Sequence, residues 1–309
     1  MISDLRVCFV GLGSIGRRHL QDLHEVAKER RLRLTVDALR HSELTLDQEI
    51  SSLVSRQYSS QDELGDYDAI FVCNPSRLHY RTLCELKNKA KYFFVEKPVF
   101  VKPLSDAELE PFAATDRFYV ACPLRHTAMF HRIQDFVANQ KVLSARVMCS
   151  SYLPNWRPGT DYRSVYSAQR QNGGVKLDLI HEFDYVFTLF GFPESEHFFE
   201  CKVSALEIDA NDVVSYIARY KDKTIEIHLD YFGRIPQRYI ELYTDDTVVR
   251  FDFIGSAVAN LCSGNIEKVG DSRNAFQKQE IRYFVDFMMN GYSNINSVLH
   301  ANDVLRHIC

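Results

Sequence analysis

Short apolar runs alternate with amphipathic segments along the first 120 residues of the chain. A short apolar run bounded by polar turns is typical of a buried strand, and apolar residues three and four apart are typical of a helix. Strands are predicted for residues 7–10, 34–39, 69–73, 92–95 and 118–121. Helices are predicted for residues 14–31 and 78–87, and a capping box of Ser105 and Glu108 begins another. This alternation predicts a doubly wound parallel sheet, and we expect six strands, of which these ranges place five.

From residue 145 the pattern changes to longer strands with alternating apolar and polar positions. Strands are predicted for residues 145–152, 202–208, 213–220, 224–231, 238–243 and 248–253, and helices for 174–190, 275–290 and 297–308. Consecutive strands joined by short turns favour an antiparallel sheet. We therefore expect an α/β domain over residues 1–123 and an α+β domain, built on a large and mostly antiparallel sheet, over residues 124–309.

Length, charge and cysteine content narrow the class of protein. The 309 residues suffice for two domains of about 150 residues each. The net charge of −4, without a basic block, gives no electrostatic footprint for nucleic acid or an anionic membrane. The eight scattered cysteines contain no C-x-x-C pair, which is typical of reduced thiols in the cytoplasm. The first strand starts close to the N-terminus and no apolar run approaches about 18 residues, so we expect a cytoplasmic protein.

The sequence GLGSIG follows the first predicted strand directly and opens a predicted helix. In this context a G-x-G-x-x-G turn is typical of dinucleotide binding. Gly11 allows the tight turn, Gly13 lets the backbone approach a pyrophosphate, and Gly16 lets the helix pack closely on the strand. The backbone amides at the helix start, including those of Ser14 and Ile15, are predicted to bind the pyrophosphate.

The end of the second predicted strand bears on which nicotinamide cofactor binds. An acidic residue there normally binds the ribose hydroxyls, whereas a nearby arginine suits a 2′-phosphate. Arg40, His41 and Ser42 follow the strand, which favours NADP and makes Arg40 and Ser42 candidate contacts. Asp37 lies inside the strand, and NAD is favoured if Asp37 is instead the residue at the strand end.

Polar residues also follow two later strands of the predicted parallel sheet. Glu96, Lys97 and a proline follow the strand at 92–95, at the strand end where ligands bind in open α/β sheets. Glu96 is a candidate cofactor contact. A lysine there can hydrogen-bond a substrate hydroxyl and stabilise oxyanion character, although a surface lysine before a turn proline is the plain alternative. Asn74, Pro75 and His79 follow the preceding strand and are candidate cofactor contacts, or simply an ordinary turn and a histidine at a helix start.

Asp178, His181 and Asp184 lie together in the predicted helix at 174–190. Residues three apart share one face of a helix, and a histidine beside a carboxylate is a general-base arrangement. The structural alternative is a partly buried histidine at a domain seam. No second group of histidines or cysteines falls at metal-ligand spacing, so we predict no metal site.

Arginines alternate with aromatic residues after the first strand of the second predicted domain. Trp156, Arg157, Tyr162 and Arg163 follow the predicted strand at 145–152. Such residues suit phosphates and a stacked ring, as in a sugar nucleotide, and they suit a protein interface equally well.

These motifs, in this order, resemble those of the Gfo/Idh/MocA family, named for glucose-fructose oxidoreductase, inositol dehydrogenase and rhizopine catabolism. The resemblance rests on GLGSIG at 11–16, NPSRLH at 74–79, EKP at 96–98 and GGVKLDLIHEFD at 173–184. It implies a Rossmann domain followed by a domain with a large antiparallel sheet, and NAD(P)-dependent oxidation or reduction of sugar hydroxyls. It also implies that Lys97 is the catalytic lysine, that His181 is the general acid or base, and that Asp178 is its neighbouring carboxylate.

Two further expectations follow from the resemblance. Arg125, after Pro123, is similar to an arginine-containing segment that borders the substrate in the family. Asp184 is a further candidate substrate contact. The stretch at 152–168 is similar to a branch associated with surface-polysaccharide and sialic-acid-like sugars, which points to a sugar or nucleotide sugar as substrate. Many members have the carboxylate four residues before the histidine, whereas here the separation is three.

The sequence leaves three interpretations of function. The first is a sugar dehydrogenase or reductase, and the second is a cofactor-binding sensor of the same fold that lacks catalysis. The third is a redox-assisted reaction in which the bound cofactor is regenerated internally. Exposed faces of antiparallel sheets often form oligomer contacts, so a homodimer or homotetramer is expected.

Overall fold

The computed structural model describes residues 4–41, 45–171, 173–270 and 275–309. The chain divides into two compact units. The first unit contains Met1–Pro123 and Asn274–Leu305, and the second contains Leu124–Arg273 and Arg306–Cys309. The expected boundary at residue 123 agrees with this division. The assignment of all later residues to the second domain is wrong, because the predicted C-terminal helices pack in the first unit.

The bounds of the regular elements are close to those predicted for most of the chain. The strands are β1 Asp4–Val10, β2 Arg33–Leu39, β3 Arg56–Tyr58, β4 Tyr67–Val72, β5 Ala90–Val95, β6 Phe118–Val120, β7 Ser144–Tyr152, β8 Ser195–Cys201, β9 Val213–Arg219, β10 Thr224–Asp230, β11 Phe232–Tyr243, β12 Val248–Asp252, β13 Ala257–Asn260 and β14 Ile266–Lys268. The helices are α1 Ser14–Glu29, α2 Gln48–Ser52, α3 His79–Leu86, α4 Asp106–Ala113, α5 Ala128–Asn139, α6 Val175–Asp178, α7 His181–Phe190, α8 Ala275–Asn290 and α9 Val298–Arg306. Within these described residues no helix is long and apolar enough to cross a membrane.

The sheet of the first unit is parallel, as predicted. Among the described residues it has six strands in the order β3-β2-β1-β4-β5-β6. The predicted capping box forms at the start of α4, where Ser105 accepts a hydrogen bond from the Glu108 amide and Glu108 bonds back to the Ser105 amide. The short strand β3 was not predicted, since its RQY sequence lacks the apolar run of a buried strand.

Stacked aromatic rings form the core on one face of this sheet, and α8 covers them. The rings of Phe9 and Phe71 are 4.5 Å apart, and those of Phe71 and Phe94 are 4.9 Å apart. Phe284 of α8 places its ring edge-on to Phe71 at 5.4 Å and to Phe94 at 5.3 Å. On the solvent side, Arg282 of α8 donates two hydrogen bonds to a carboxylate at the end of α1. The apolar face of α8 therefore belongs to the core of the first unit.

The second unit is built on a mostly antiparallel sheet, as predicted. In the part of the chain that the structure describes, its eight strands run in the order β14-β13-β12-β11-β7-β10-β9-β8. Only β7 and β10 of these pair in parallel. All eight cysteines of the chain are free thiols, in agreement with the prediction from their spacing.

The prediction of a strand at 202–208 is wrong. The carboxylate of Asp212, which is fully buried, accepts hydrogen bonds from the backbone amides of Val203 and Ser204. These bonds turn the chain there, and the edge strand is the preceding segment, β8. The alternating sequence of 202–208 resembles a strand, but a buried carboxylate just beyond the segment determines its backbone conformation.

The packing of α8 gives a first prediction. Replacing Phe284 by Ala removes a fully buried ring that contacts two sheet residues, and we expect a loss of about 3–5 kcal/mol in the free energy of unfolding of the first unit. The control is Met289→Ala in the same helix, whose side chain is 40% exposed and whose removal should cost under about 1 kcal/mol. Chemical denaturation followed by circular dichroism measures both changes. Equal losses in the two variants would contradict the packing of α8 on this core.

Candidate active site

The register of the parallel sheet brings the carboxyl ends of its strands into one row. Val10 of β1 pairs with Leu39 of β2 on one side and with Val72 of β4 on the other. Val72 pairs with Val95 of β5, and Val95 pairs with Val120 of β6. In open α/β sheets ligands bind outside this edge, where the strand order reverses, which here is between β1 and β4.

The residues that follow this row are those that the sequence singled out. Gly11 and Arg40 come directly after β1 and β2, and Asn74 comes two residues after β4. Glu96 and Lys97 come directly after β5. The backbone continues the ladder at these points, since the Gly11 amide donates to the Leu39 carbonyl at 3.1 Å and the Glu96 amide donates to the Val72 carbonyl at 3.0 Å. The sheet therefore presents the predicted glycine turn and Lys97 at the same edge.

The three glycines of the turn differ in what surrounds them. Gly11 has φ +92°, and a Cβ on it would lie 3.0 Å from the Asn74 backbone. A Cβ on Gly16 would lie 2.5 Å from the Gly11 carbonyl oxygen, so the start of α1 lies directly against the turn. A Cβ on Gly13 would have no heavy atom of the described chain within 4 Å, apart from those of its chain neighbours. Open space is therefore left at the start of the helix.

The start of α1 fits an anionic group. Gly13 occupies the N-cap position without a side-chain cap, and the first turn contains no acidic residue. The first backbone amides of a helix, such as those of Ser14 and Ile15, have no partners within the helix and carry the positive end of its dipole. Together with the open space at Gly13, this arrangement fits a dinucleotide pyrophosphate.

The residue that follows β2 is basic, and Asp37 lies inside the strand, where its carboxylate is already hydrogen-bonded. Asp37 is 1% exposed and accepts hydrogen bonds from Arg6 Nη2 at 3.1 Å and from the Tyr67 hydroxyl at 2.9 Å. The strand continues to residue 39, so Arg40 is the first residue beyond it, and its Nη1 donates to Gln57 at 2.8 Å. The alternative in which Asp37 is the residue at the strand end is therefore wrong. Ser42, the other predicted contact, lies outside the described residues.

Glu96 is a buried carboxylate with both oxygens engaged. Its Oε1 lies 2.5 Å from His19 Nε2 of α1, and its Oε2 accepts a hydrogen bond from the Lys97 amide at 3.0 Å. Burial opposes ionisation of Glu96, but the hydrogen bond and charge of His19, with the charge of Lys97, outweigh burial and hold the pKa of Glu96 below its usual range. Glu96, predicted as a cofactor contact, thus binds its own protein. The lysine that follows it is partly exposed, and the Lys97–Pro98 peptide bond is cis.

His79 has a structural role that the sequence did not reveal. The ring is fully buried, with Nε2 2.9 Å from the Asn74 carbonyl oxygen and Nδ1 3.1 Å from that of Val99. Burial lowers the pKa of His79 even though these carbonyls favour its protonated form. The ring therefore links the turn after β4, including Asn74 and Pro75, to the segment after β5. This position does not present His79 to a cofactor as predicted.

In the second unit, the predicted helix at 174–190 is broken between its two chemically important residues. Asp178 is the last residue of α6, and His181 is the first residue of α7. The prediction that they share one face of a continuous helix is wrong. Asp178 is buried and accepts a hydrogen bond from the hydroxyl of Tyr231, while His181 is partly exposed. Sequence reasoning missed Tyr231 because it lies at the far end of β10, more than 50 residues away along the chain.

The aromatic and basic residues at 156–166 form two groups. The Trp156 ring is edge-on to Tyr231 at 5.2 Å, and its Nε1 donates to Ser151 at 2.9 Å, so Trp156 packs beside the residue that binds Asp178. Arg157 is exposed and lies over the Tyr166 ring at 5.4 Å. Although Tyr166 is 44% exposed, desolvation around its hydroxyl and the nearby charge of Asp178 raise its pKa. These contacts bring Trp156 and Arg157 to the surroundings of Asp178.

Tyr162 and Arg163 face a different group of residues. The Tyr162 hydroxyl accepts a hydrogen bond from the Glu207 amide at 3.2 Å, and Arg163 forms ion pairs with Asp161 at 2.9 Å and with Glu207 at 3.2 Å. Arg163 also lines an open cavity of about 720 Å³ together with Arg170, Lys202 and Asp209. The carboxylates beside Arg163 already balance its charge.

Arg125 and Asp184, both predicted as substrate contacts, bind one another. Arg125 donates from Nε at 2.8 Å and from Nη2 at 2.5 Å to the two carboxylate oxygens of Asp184. Both side chains are buried, which makes this a bidentate ion pair inside the second unit. The pair fixes the 3₁₀ turn at 123–126 against α7, in place of the predicted contact with substrate.

The first unit also matches a known family. Residues 5–113 match the family model of Gfo/Idh/MocA oxidoreductases, which describes an NAD-binding Rossmann fold. Residues 5–113 are therefore similar to the NAD-binding domain of that family. This match supports the resemblance that the motifs indicate, and it includes the glycine turn and Lys97.

Similar proteins extend the comparison beyond this domain. An uncharacterized oxidoreductase, YrbE of Bacillus subtilis, is 24% identical over 201 residues, which are 63% of this chain and 57% of the relative's length. A levoglucosan dehydrogenase in complex with NADH and levoglucosan has a TM-score of 0.82 at 14% identity, covering 98% of this chain and 95% of the other. The UDP-N-acetylglucosamine 3-dehydrogenase of Acidithiobacillus ferrooxidans has a TM-score of 0.76 at 17% identity, covering 99% and 95%. At these identities the structures establish a common fold.

The surroundings of Gly16 and Gly13 predict different effects for the same substitution by alanine. At Gly16 it should lower stability, and at Gly13 it should weaken cofactor binding. Gly16→Ala places a methyl group against the Gly11 carbonyl and should destabilise the first unit by about 1–3 kcal/mol. Gly13→Ala enters open space at φ −71° and should leave stability within about 1 kcal/mol, but it should weaken NADH binding at least about tenfold by occupying the space for the pyrophosphate. Thermal melting and NADH fluorescence titration measure the two effects. Unchanged NADH affinity in the Gly13 variant would contradict this placement of the cofactor.

Proposed function

We propose that this protein is an NAD(P)-dependent oxidoreductase that transfers a hydride between nicotinamide and a ring hydroxyl or ketone of a sugar or nucleotide sugar. The observation that carries the proposal is the shared sheet edge, where the glycine turn at 11–16 and Lys97 follow strands whose ends are in register. A dinucleotide bound at the turn supplies the nicotinamide that accepts or donates the hydride.

Lys97 is proposed to polarise the substrate oxygen. Its backbone is held at the end of β5 by the bond from its amide to Glu96, so its position is set by the sheet. An ammonium at the reacting oxygen stabilises negative charge as the carbon–hydrogen bond breaks, and this favours the transition state over the bound alcohol. In the reverse direction the same ammonium polarises the ketone.

His181 is proposed as the general acid or base. Its partly exposed ring begins α7, directly after the segment that carries Asp178. Imidazole exchanges protons near neutral pH, so His181 can take the hydroxyl proton during oxidation and return it during reduction. Asp178, bonded by Tyr231, is assigned to the support of this segment.

The substrate class is proposed from two sources. The similar structures include a levoglucosan dehydrogenase and a UDP-N-acetylglucosamine 3-dehydrogenase. In this chain, Trp156 and the Arg157–Tyr166 pair offer aromatic faces and a cation near Asp178. Aromatic faces suit the apolar side of a sugar ring, and an arginine suits a phosphate, which extends the proposal to nucleotide sugars.

The role of Lys97 is tested by its replacement with Ala. We expect kcat to fall about 10²- to 10⁴-fold, with the Kd of NADH changed less than about threefold, because the side chain acts on the reacting oxygen. The control is Lys91→Ala in the same strand, whose exposed ammonium pairs with Asp68 and which should retain full activity. Turnover is followed by nicotinamide absorbance over a panel of sugars and nucleotide sugars. Undiminished turnover in the Lys97 variant would remove this lysine from the mechanism.

The cofactor preference is proposed to be NADP, since Arg40 follows β2 and Asp37 is engaged below it. Replacing Arg40 by Ala should weaken NADPH binding about 10- to 100-fold, the value of a charge-assisted hydrogen bond, and should change NADH binding little. Arg33→Ala, at the opposite end of the same strand, is the control. Fluorescence titration measures each Kd. Tighter binding of NADH than of NADPH by the unsubstituted protein would contradict the preference.

A further inference from the structure

We propose that His19 is a positioning residue for Lys97, and that it acts through the carboxylate of Glu96. The catalytic consequence rests on the proposed function, but the coupling itself rests on geometry within the first unit. His19 Nε2 lies 2.5 Å from Glu96 Oε1, and Glu96 Oε2 accepts the Lys97 amide hydrogen at 3.0 Å. One carboxylate therefore joins helix α1 to the backbone of the lysine.

The burial of these groups makes the connection rigid. His19 is 1% exposed and Glu96 is 8% exposed, so water does not compete for either hydrogen bond. The His19 ring also packs edge-on against Phe94 of β5 at 4.9 Å, which fixes its orientation. A carboxylate held at both oxygens cannot rotate without breaking a buried hydrogen bond, and a buried polar group without its partner is unfavourable.

This connection joins the helix that is proposed to bind the cofactor to the lysine that is proposed to act on the substrate. His19 lies in α1, whose first turn faces the open space at Gly13. Lys97 directly follows the carboxylate at the end of β5. The connection thus fixes the lysine backbone relative to the helix that is proposed to bind the cofactor. Misplacement of a reacting group by about 1 Å can reduce a rate by about 10²-fold.

Variants at His19 and His24 distinguish a positioning role of His19 from a general contribution to the packing of α1. Without His19, one oxygen of a buried carboxylate loses its partner. Glu96 then takes a proton or turns, and either change weakens or breaks the hydrogen bond that the Lys97 amide donates to it. In His19→Gln the side-chain amide can donate to Glu96 in place of Nε2–H, so this variant is expected to restore the connection. His24→Ala is the matched control, since His24 lies in the same helix and contacts the Leu53 carbonyl at 2.9 Å.

The experiment compares these three variants with the unsubstituted protein by two measurements. Hydrogen exchange of the Lys97 amide, followed by NMR on deuterated full-length protein, reports the connection without turnover. Steady-state kinetics with the best sugar of the panel then reports kcat and KM. In His19→Ala we expect amide exchange at least about tenfold faster and kcat about 10- to 100-fold lower, with KM and the Kd of NADH within about threefold. His19→Gln and His24→Ala should remain close to the unsubstituted protein in both measurements.

Each outcome decides the proposal. Exchange and kcat of His19→Ala within twofold of the unsubstituted protein would overturn it, and so would equal effects in His24→Ala, which would indicate general loosening of α1. If His19→Ala does not fold, Glu96→Met replaces it, because a methionine side chain of similar length removes the carboxylate acceptor of the Lys97 amide while His19 stays in place. Exchange in that variant as slow as in the unsubstituted protein would overturn the proposal. Absence of turnover in the unsubstituted protein would instead contradict the proposed function, while the exchange data would still decide whether His19 fixes Lys97.

Discussion

The parallel register of β1, β2, β4 and β5 determines where the side chains of the first unit's candidate site lie. Val10, Leu39, Val72 and Val95 form one row, so the segments that follow them emerge at the same edge. A slip of one residue would move every side chain of a strand to the opposite face of the sheet, and the buried aromatic core on one face prevents this slip. The close approach of Gly16 to Gly11 then places the start of α1 against that edge.

Buried polar contacts fix the loops at this edge more precisely than packing alone would. His79 holds the turn after β4 to the segment after β5 through two backbone carbonyls, and Glu96 joins that segment to His19 of α1. Such contacts are costly to leave unsatisfied, and for this reason they specify a single arrangement. The sequence favours His79 and Glu96 as cofactor contacts, and in the structure each binds the protein's own backbone or side chains.

The parts of the site that the sequence predicts well are local. The turn at 11–16 and Lys97 each follow an apolar strand directly, so their place at the sheet edge is evident from a few neighbouring residues. The break between Asp178 and His181 was not predictable from helical spacing, since a hydroxyl from beyond β10 binds Asp178. The sequence likewise predicts the wrong domain for α8. Helical periodicity shows that one face of α8 is apolar, but it does not show which core that face contacts. The contact is with the aromatic rings of the parallel sheet in the first unit.

Hydride transfer between a sugar carbon and the cofactor can be followed with an isotope label. The protein is mixed with oxidised cofactor and with sugars or nucleotide sugars deuterated at their ring carbons, and the recovered nicotinamide is analysed by mass spectrometry. We expect reduced cofactor carrying one deuterium from at least one member of the panel, with a slower rate for the deuterated substrate. Saturable binding of a sugar with no deuterium in the cofactor would contradict this expectation and would indicate a sensor with the same fold.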